Sequence, residues 1–80
     1  MHITIRQLQV FEAVARHLSY TRAAEELHLT QPAVSMQIKQ MESSIGLPMF
    51  EQIGKKIYLT QAGDAMLVHA RTIMRHLEAA

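Results

Sequence analysis

Eighty residues with a formal net charge of +1 set the first limits. A chain this short is at most one domain and buries only roughly 60–65% of its unfolded surface, so its own core gives modest stability. It has no Cys, which excludes disulfides and thiolate metal sites and agrees with a reducing compartment, and no apolar run is long enough to span a bilayer.

The N-terminal Met-His-Ile-Thr-Ile-Arg lacks the basic-then-apolar layout of a signal peptide, which points to a cytoplasmic chain. Thr4 with Gln7 three residues on is a capping-box pattern. Leu8, Phe11, Val14, Ala15 and Leu18 then recur at helical spacing, so a first helix follows Thr4. Ser19 is the next N-cap and opens a short helix from Tyr20 to Leu27. That helix buries Tyr20, Ala23, Ala24 and Leu27, and the paired alanines admit a close neighbour. His28 and Leu29 make a break, with the bend at His28 because His tolerates a positive φ better than most residues.

Thr30 caps a third helix. Pro32 falls in its first turn, where a missing N–H costs nothing, and Gly46 followed by Pro48 ends it. Met49–Ile53 and Lys56–Thr60 read as two short strands around Gly54-Lys55. Thr60 caps a last helix that runs to residue 80. The fold class is mainly α: a winged helix-turn-helix of three helices and a two-stranded wing over 1–60, then a long linker helix over 61–80.

Helix-turn-helix geometry sends the second helix of the pair, here the third of the chain, into the DNA major groove with its N-terminal end nearest the bases. Val34, Ile38, Met41 and Ile45 form its core stripe. Pro32, Met36, Lys39, Gln40 and Ser43 lie opposite, flanked by Gln31 and Ser35. A polar face of Gln and Ser is by itself the ordinary signature of a solvated surface. Here the acids are missing as well: residues 27–41 hold Lys39 and no acid, and residues 52–63 hold Lys55 and Lys56 and no acid. A carboxylate on either segment would repel phosphate at close range. Gln can bond adenine bidentately, Ser suits several base edges, and an apolar side chain can meet the thymine methyl. The candidate base-contacting residues on this face are Gln31, Pro32, Ser35 and Met36. The candidate backbone and wing contacts are Thr21, Arg22, Thr30, Gln37, Lys39, Lys55 and Lys56.

In the last helix Ala62, Met66, Ala70, Ile73, Leu77 and Ala80 form one apolar stripe, broadened by Leu67 and Met74. It is longer than a small core can cover. Met66, Ala70, Ile73 and Leu77 are therefore the candidate dimerisation residues, pairing two copies so that two recognition helices meet two half-sites. No enzyme chemistry is legible: there is no Ser-His-Asp grouping, and Gly46, Gly54 and Gly63 are scattered rather than gathered in a phosphate loop. No cofactor is implied. His69 and His76 are about two turns or ~10.5 Å apart, too far to share a metal within one chain. The alternative function is a winged-helix interaction module that does not bind DNA.

The stretch RQLQVFEAVARHLSYTRAAEELHLTQPAVSMQIKQMESSIGLPMFEQIGKKIYLTQAG resembles the DNA-binding domain of LysR-type transcriptional regulators. The resemblance rests on FEAVA, TRAAEEL, LTQPAVS, GLPMFE and LTQAG in this order, and within the family it is nearest to regulators of carbon-fixation (Rubisco) operons. It implies binding to partly palindromic double-stranded operators by a homodimer joined through the linker helix, with a tetramer possible in a full-length protein. It implies contacts from Gln31, Pro32, Ala33, Ser35 and Met36 and from the wing lysines. It also implies a large effector-binding domain, which these 80 residues do not include. Two positions depart from the usual pattern. Met36 stands where many members carry Arg and cannot donate a hydrogen bond to guanine. Gln52 stands where Phe-Glu-Arg is usual.

Overall fold

Capping decides where each helix begins. The computed structural model describes residues 2–79 and contains α1 (Ile5–His17), α2 (Tyr20–Leu27), α3 (Gln31–Ile45), β1 (Phe50–Ile53), β2 (Lys56–Leu59) and α4 (Gln61–Ala79). The Thr4 hydroxyl accepts from the Gln7 N–H and the Gln7 amide oxygen accepts from the Thr4 N–H, both at 3.0 Å, closing the expected capping box. Ser19 accepts from the Arg22 N–H at 3.1 Å, Thr30 from Ala33 at 3.3 Å and Thr60 from Gly63 at 3.0 Å. Each bond satisfies an N–H that the helix cannot satisfy itself.

Left-handed residues end the first three helices: Leu18 (φ 49°), His28 (φ 57°) and Gly46 (φ 85°). His28 and Gly46 stand where the sequence places them. Helical spacing puts Leu18 at the end of the apolar stripe; instead it is 42% exposed and reverses the chain between α1 and α2. Its N–H is held by the Val14 carbonyl at 2.7 Å.

The wing is a two-stranded antiparallel sheet in the register Phe50↔Leu59 to Ile53↔Lys56. Each strand is one residue shorter than the sequence pattern suggests. The Met49 N–H is taken by the Glu42 carboxylate at 2.8 Å, and Thr60 is already the N-cap of α4. The two residues still close the base of the hairpin, because the Thr60 N–H donates to the Met49 carbonyl at 3.0 Å.

The core is formed by Val10, Phe11 and Val14 of α1, Ala23 of α2, Val34, Ile38 and Met41 of α3, Met49, and Ala70 of α4. Phe50 joins the wing to it, with its ring centroid 5.5 Å from that of Phe11 and 6.0 Å from that of Tyr20. Ala62, Met66 and Leu67 of α4 pack half-buried against this core. Gly63 sets how closely α4 meets the wing base, since a Cβ there would overlap the Met49 carbonyl oxygen.

Candidate nucleic-acid interface

α3 turns Val34, Ile38 and Met41 fully inward. Its opposite face carries Gln31, Pro32, Met36, Lys39, Gln40 and Ser43, all exposed or nearly so, with Ala33, Ser35 and Gln37 at the flanks. Met36 is 53% exposed, an unbranched apolar side chain presented to solvent. Gln31, Pro32, Ser35, Met36, Lys39, Gln40 and Ser43 together line an open concavity.

A second concavity is walled by three elements. Ser19, Tyr20 and Thr21 come from the start of α2, Gln31 from the start of α3, and Gln52, Lys55 and Ile57 from the wing. Gln31 lines both hollows and so joins the helix face to the wing. The structure thus gathers Gln31, Pro32, Ser35, Met36, Lys39, Thr21 and Lys55 into one continuous surface. Arg22, Thr30 and Lys56 are exposed but line neither hollow, Ala33 and Gln37 stand on the flanks, and the Thr30 hydroxyl oxygen is engaged in capping.

No carboxylate lines either hollow. Glu42 is turned to the Met49 N–H. Glu12 and Glu26 belong to an ion-pair cluster that the sequence pattern announces only in part. Arg16 grips Glu26 through two bonds of 2.7 Å and Glu12 at 3.0 Å. His17 Nε2 lies 2.8 Å from Glu26, and Arg71 of α4 lies 3.5 Å from Glu12. This cluster ties α1 to α2 and α4. Arg16, then His17, pulls the Glu26 carboxyl down to about 2. Glu26 and Glu12 in turn hold the Arg16 guanidinium well above its ordinary value. Burial raises the Tyr20 phenol, with the Glu42 charge adding to it. Glu12 and Arg16 at i,i+4 are the sequence signal for the first pair; the partners on α2 and α4 have none.

The proposed dimerisation stripe divides. Ala70 is fully buried in the chain's own core, which corrects its assignment as an intermolecular residue, and Met66 is half-buried against that core. A helix stripe records burial but not which surface does the burying. Ile73 and Leu77 remain 44% and 48% exposed, and Val68, outside the expected stripe, is 65% exposed. Ala80 lies outside the described residues. Among the described residues no group of His, Cys, Asp and Glu converges as a metal site, and no helix is long and apolar enough to cross a membrane.

Comparison with known proteins agrees with this architecture. Residues 5–64 match the family described as bacterial regulatory helix-turn-helix protein, lysR family. A RuBisCO operon transcriptional regulator of Allochromatium vinosum is 61% identical over 77 residues, which are 96% of this chain and 26% of that protein. The HTH-type transcriptional regulator CbbR of Rhodospirillum rubrum is 63% identical over 70 residues, 88% of this chain and 24% of that protein. The chain thus spans about a quarter of the length of these curated relatives. Among solved structures, the crystal structure of a CbnR DNA-binding domain–DNA complex superposes with a TM-score of 0.91 at 35% identity, covering 96% of this chain and 88% of that one.

Proposed function

The chain belongs to the LysR family of bacterial regulatory helix-turn-helix proteins, as a winged DNA-binding domain, and from that premise we propose that it reads a partly palindromic operator as a homodimer in the cytoplasm and serves a regulator of a carbon-fixation operon. The observation that carries the reading is the acid-free surface running from the outer face of α3, through Gln31, to the cleft bounded by α2 and the wing. Gln31, Pro32, Ala33, Ser35 and Met36 set sequence choice, and Thr21, Arg22, Thr30, Gln37, Lys39, Lys55 and Lys56 set general affinity. Position divides the two groups, because base-edge contacts specify while phosphate contacts only orient. The operon assignment is supported by the 61% and 63% identical relatives.

Dimerisation follows from the surface of α4. At 100° per residue, Asp64, Arg71, Arg75 and Glu78 fall within about 60° of one another. The adjoining surface of Ala65, Val68, His69, Thr72, Ile73 and His76 carries no Asp, Glu, Lys or Arg. The first half of α4 borders an apolar hollow of Leu47, Pro48, Thr60, Gln61, Ala62 and Ala65, whereas the second half projects Ile73 and Leu77. A two-fold axis across the helix seats each copy's large residues on the other's hollow, a self-complementary pairing. Domain 1–60 then carries recognition while 61–80 carries pairing, with the inner side of α4 anchoring the two together.

Titration of duplex DNA at two salt concentrations, followed by site selection on randomised half-sites, tests the reading. Binding must weaken steeply with salt, and Lys55→Ala with Lys56→Ala should make the slope shallower by about 0.9 for each phosphate left without its lysine. Gln31→Ala should cost about 1–3 kcal/mol on the selected site and little on random DNA, while Met36→Arg should shift one base pair per half-site toward guanine. No affinity at low salt would turn the reading to an interaction module. Unchanged selection in both variants would show that α3 does not read bases.

A further inference from the structure

Gln52 stands on the inward face of the wing. Side chains alternate along a strand, so Gln52 shares the face of Phe50, which is buried at the wing base. Its cross-strand partner is Ile57, half-buried against the core. Gln52 therefore points into the cleft lined by Thr21, Gln31 and Lys55, away from the solvent face of Glu51, Ile53 and Tyr58. Its Nε2 donates to the Gly54 carbonyl oxygen at 3.1 Å.

That carbonyl belongs to the peptide plane that joins Gly54 to Lys55. Gly54 has φ 64° and Lys55 has no positive φ, the pattern of a two-residue hairpin turn with Gly first. All residues from Gln52 to Lys56 are exposed, so no packing orients the tip. Among the described residues, Gln52 is the one side chain hydrogen-bonded to the turn. A neutral amide releases no counterion of its own, and this one has its N–H donor engaged by the turn, next to a lysine whose charge the turn carries.

We propose that Gln52 is a positioning residue: by holding the Gly54–Lys55 peptide it fixes the Lys55 ammonium in the cleft beside Gln31 and Thr21, in a set register with the reading end of α3. The role rests on the DNA-binding reading above. Without this bond the tip samples several orientations, and ordering it again on the duplex weakens binding. The amide oxygen of Gln52 stays free to accept a bond from within the cleft.

The test is a double-mutant cycle of Gln52→Met, similar in length but with no N–H donor, against Lys55→Met. Duplex affinity is measured at two salt concentrations, and backbone dynamics of the free chain are measured by NMR. Losing one side chain–backbone bond should weaken duplex binding about 3- to 10-fold. In the Lys55→Met background the further loss should fall below about 2-fold, because the two residues act as one unit. The free Gln52→Met chain should unfold at the parental urea midpoint while its Lys55 and Lys56 amides gain fast motion.

Equal losses in both backgrounds would mean that Gln52 meets DNA by itself, which overturns the role. Unchanged tip dynamics overturn it without reference to DNA. A parental chain without duplex affinity overturns the reading and this role together, whereas a parent that binds and a Gln52→Met chain that binds equally well overturn the role alone.

Discussion

Gly63→Ala separates local propensity from tertiary geometry. Gly63 lies in the first turn of α4, where helix propensity alone favours Ala by about 0.5–1 kcal/mol. The structure predicts the opposite sign. A Cβ at this position would overlap the Met49 carbonyl oxygen, and it would lie 2.9 Å from Leu59 Cδ2 and 3.1 Å from the Met49 carbonyl carbon. The Leu59 methyl can rotate away, but the backbone cannot. The Met49 carbonyl is held by the Thr60 N–H at 3.0 Å, and the Thr60 hydroxyl donates to the Pro48 carbonyl at 2.7 Å. Relief means drawing the start of α4 away from the wing base, which adds overpacking strain and a weakened hydrogen bond. After the propensity gain is subtracted, the net loss is about 1–3 kcal/mol. In a domain of this size that lowers Tm by roughly 4–8 °C for each kcal/mol. Thermal and urea unfolding followed by circular dichroism read the change directly. A Gly63→Ala chain as stable as the parent would refute the close approach of α4 to Met49.

Stability should also depend on acid through Glu26. Its carboxyl is held at about 2, below its ordinary 4.5, so its pairing with Arg16 and His17 stabilises the fold above about pH 4.5 and is lost as pH falls toward 2. Urea midpoints of the parent and Glu26→Gln should differ near neutrality, draw together as pH falls below about 4.5 and converge only below about pH 2, with the gap shrinking in high salt; a gap independent of pH would refute the pairing. Ile73→Ser with Leu77→Ser should give folded monomers in sedimentation, since both side chains are exposed in the single chain. Ala70→Leu should instead unfold the domain itself, because Ala70 is fully buried in its own core; a parent that is monomeric both at high micromolar concentration and on DNA would refute the pairing surface.

The helix boundaries are legible in sequence because they are decided locally. Thr4 with Gln7, Ser19, Thr30 and Gly46 act within four residues of themselves, and each is found in its expected capping role. Leu18 is not legible. Its left-handed backbone is disfavoured for a branched apolar residue, at a cost of about 1–3 kcal/mol. It is imposed by the need to bring α2 back across α1, which no short window records. Gly63 reads as one more helix-end glycine for the same reason, since its obstacle is Met49, fourteen residues earlier in the chain. Of the candidate interface, the acid-free pattern locates the face, but only the fold shows Gln31 bridging helix and wing and Gln52 bonded to the Gly54 carbonyl at the wing tip.

The misassignment of Ala70 has a general physical cause. Helical periodicity reports that a stripe avoids water, and it is silent on whether the covering surface is the same chain or a second one. Side-chain size carries the missing information. Gly63, with no side chain, sits against the Met49 carbonyl, and Ala70 is enclosed within the core that α4 shares with α1. Small residues let backbones come close, as the paired alanines of α2 also do. Ile73 and Leu77 are large, exposed and clear of that core, while the hollow that could receive them is lined by the small Ala62 and Ala65. Size as well as period thus separates the residues that anchor the α4 helix from those that stay exposed in the single chain and are proposed to pair with a second copy.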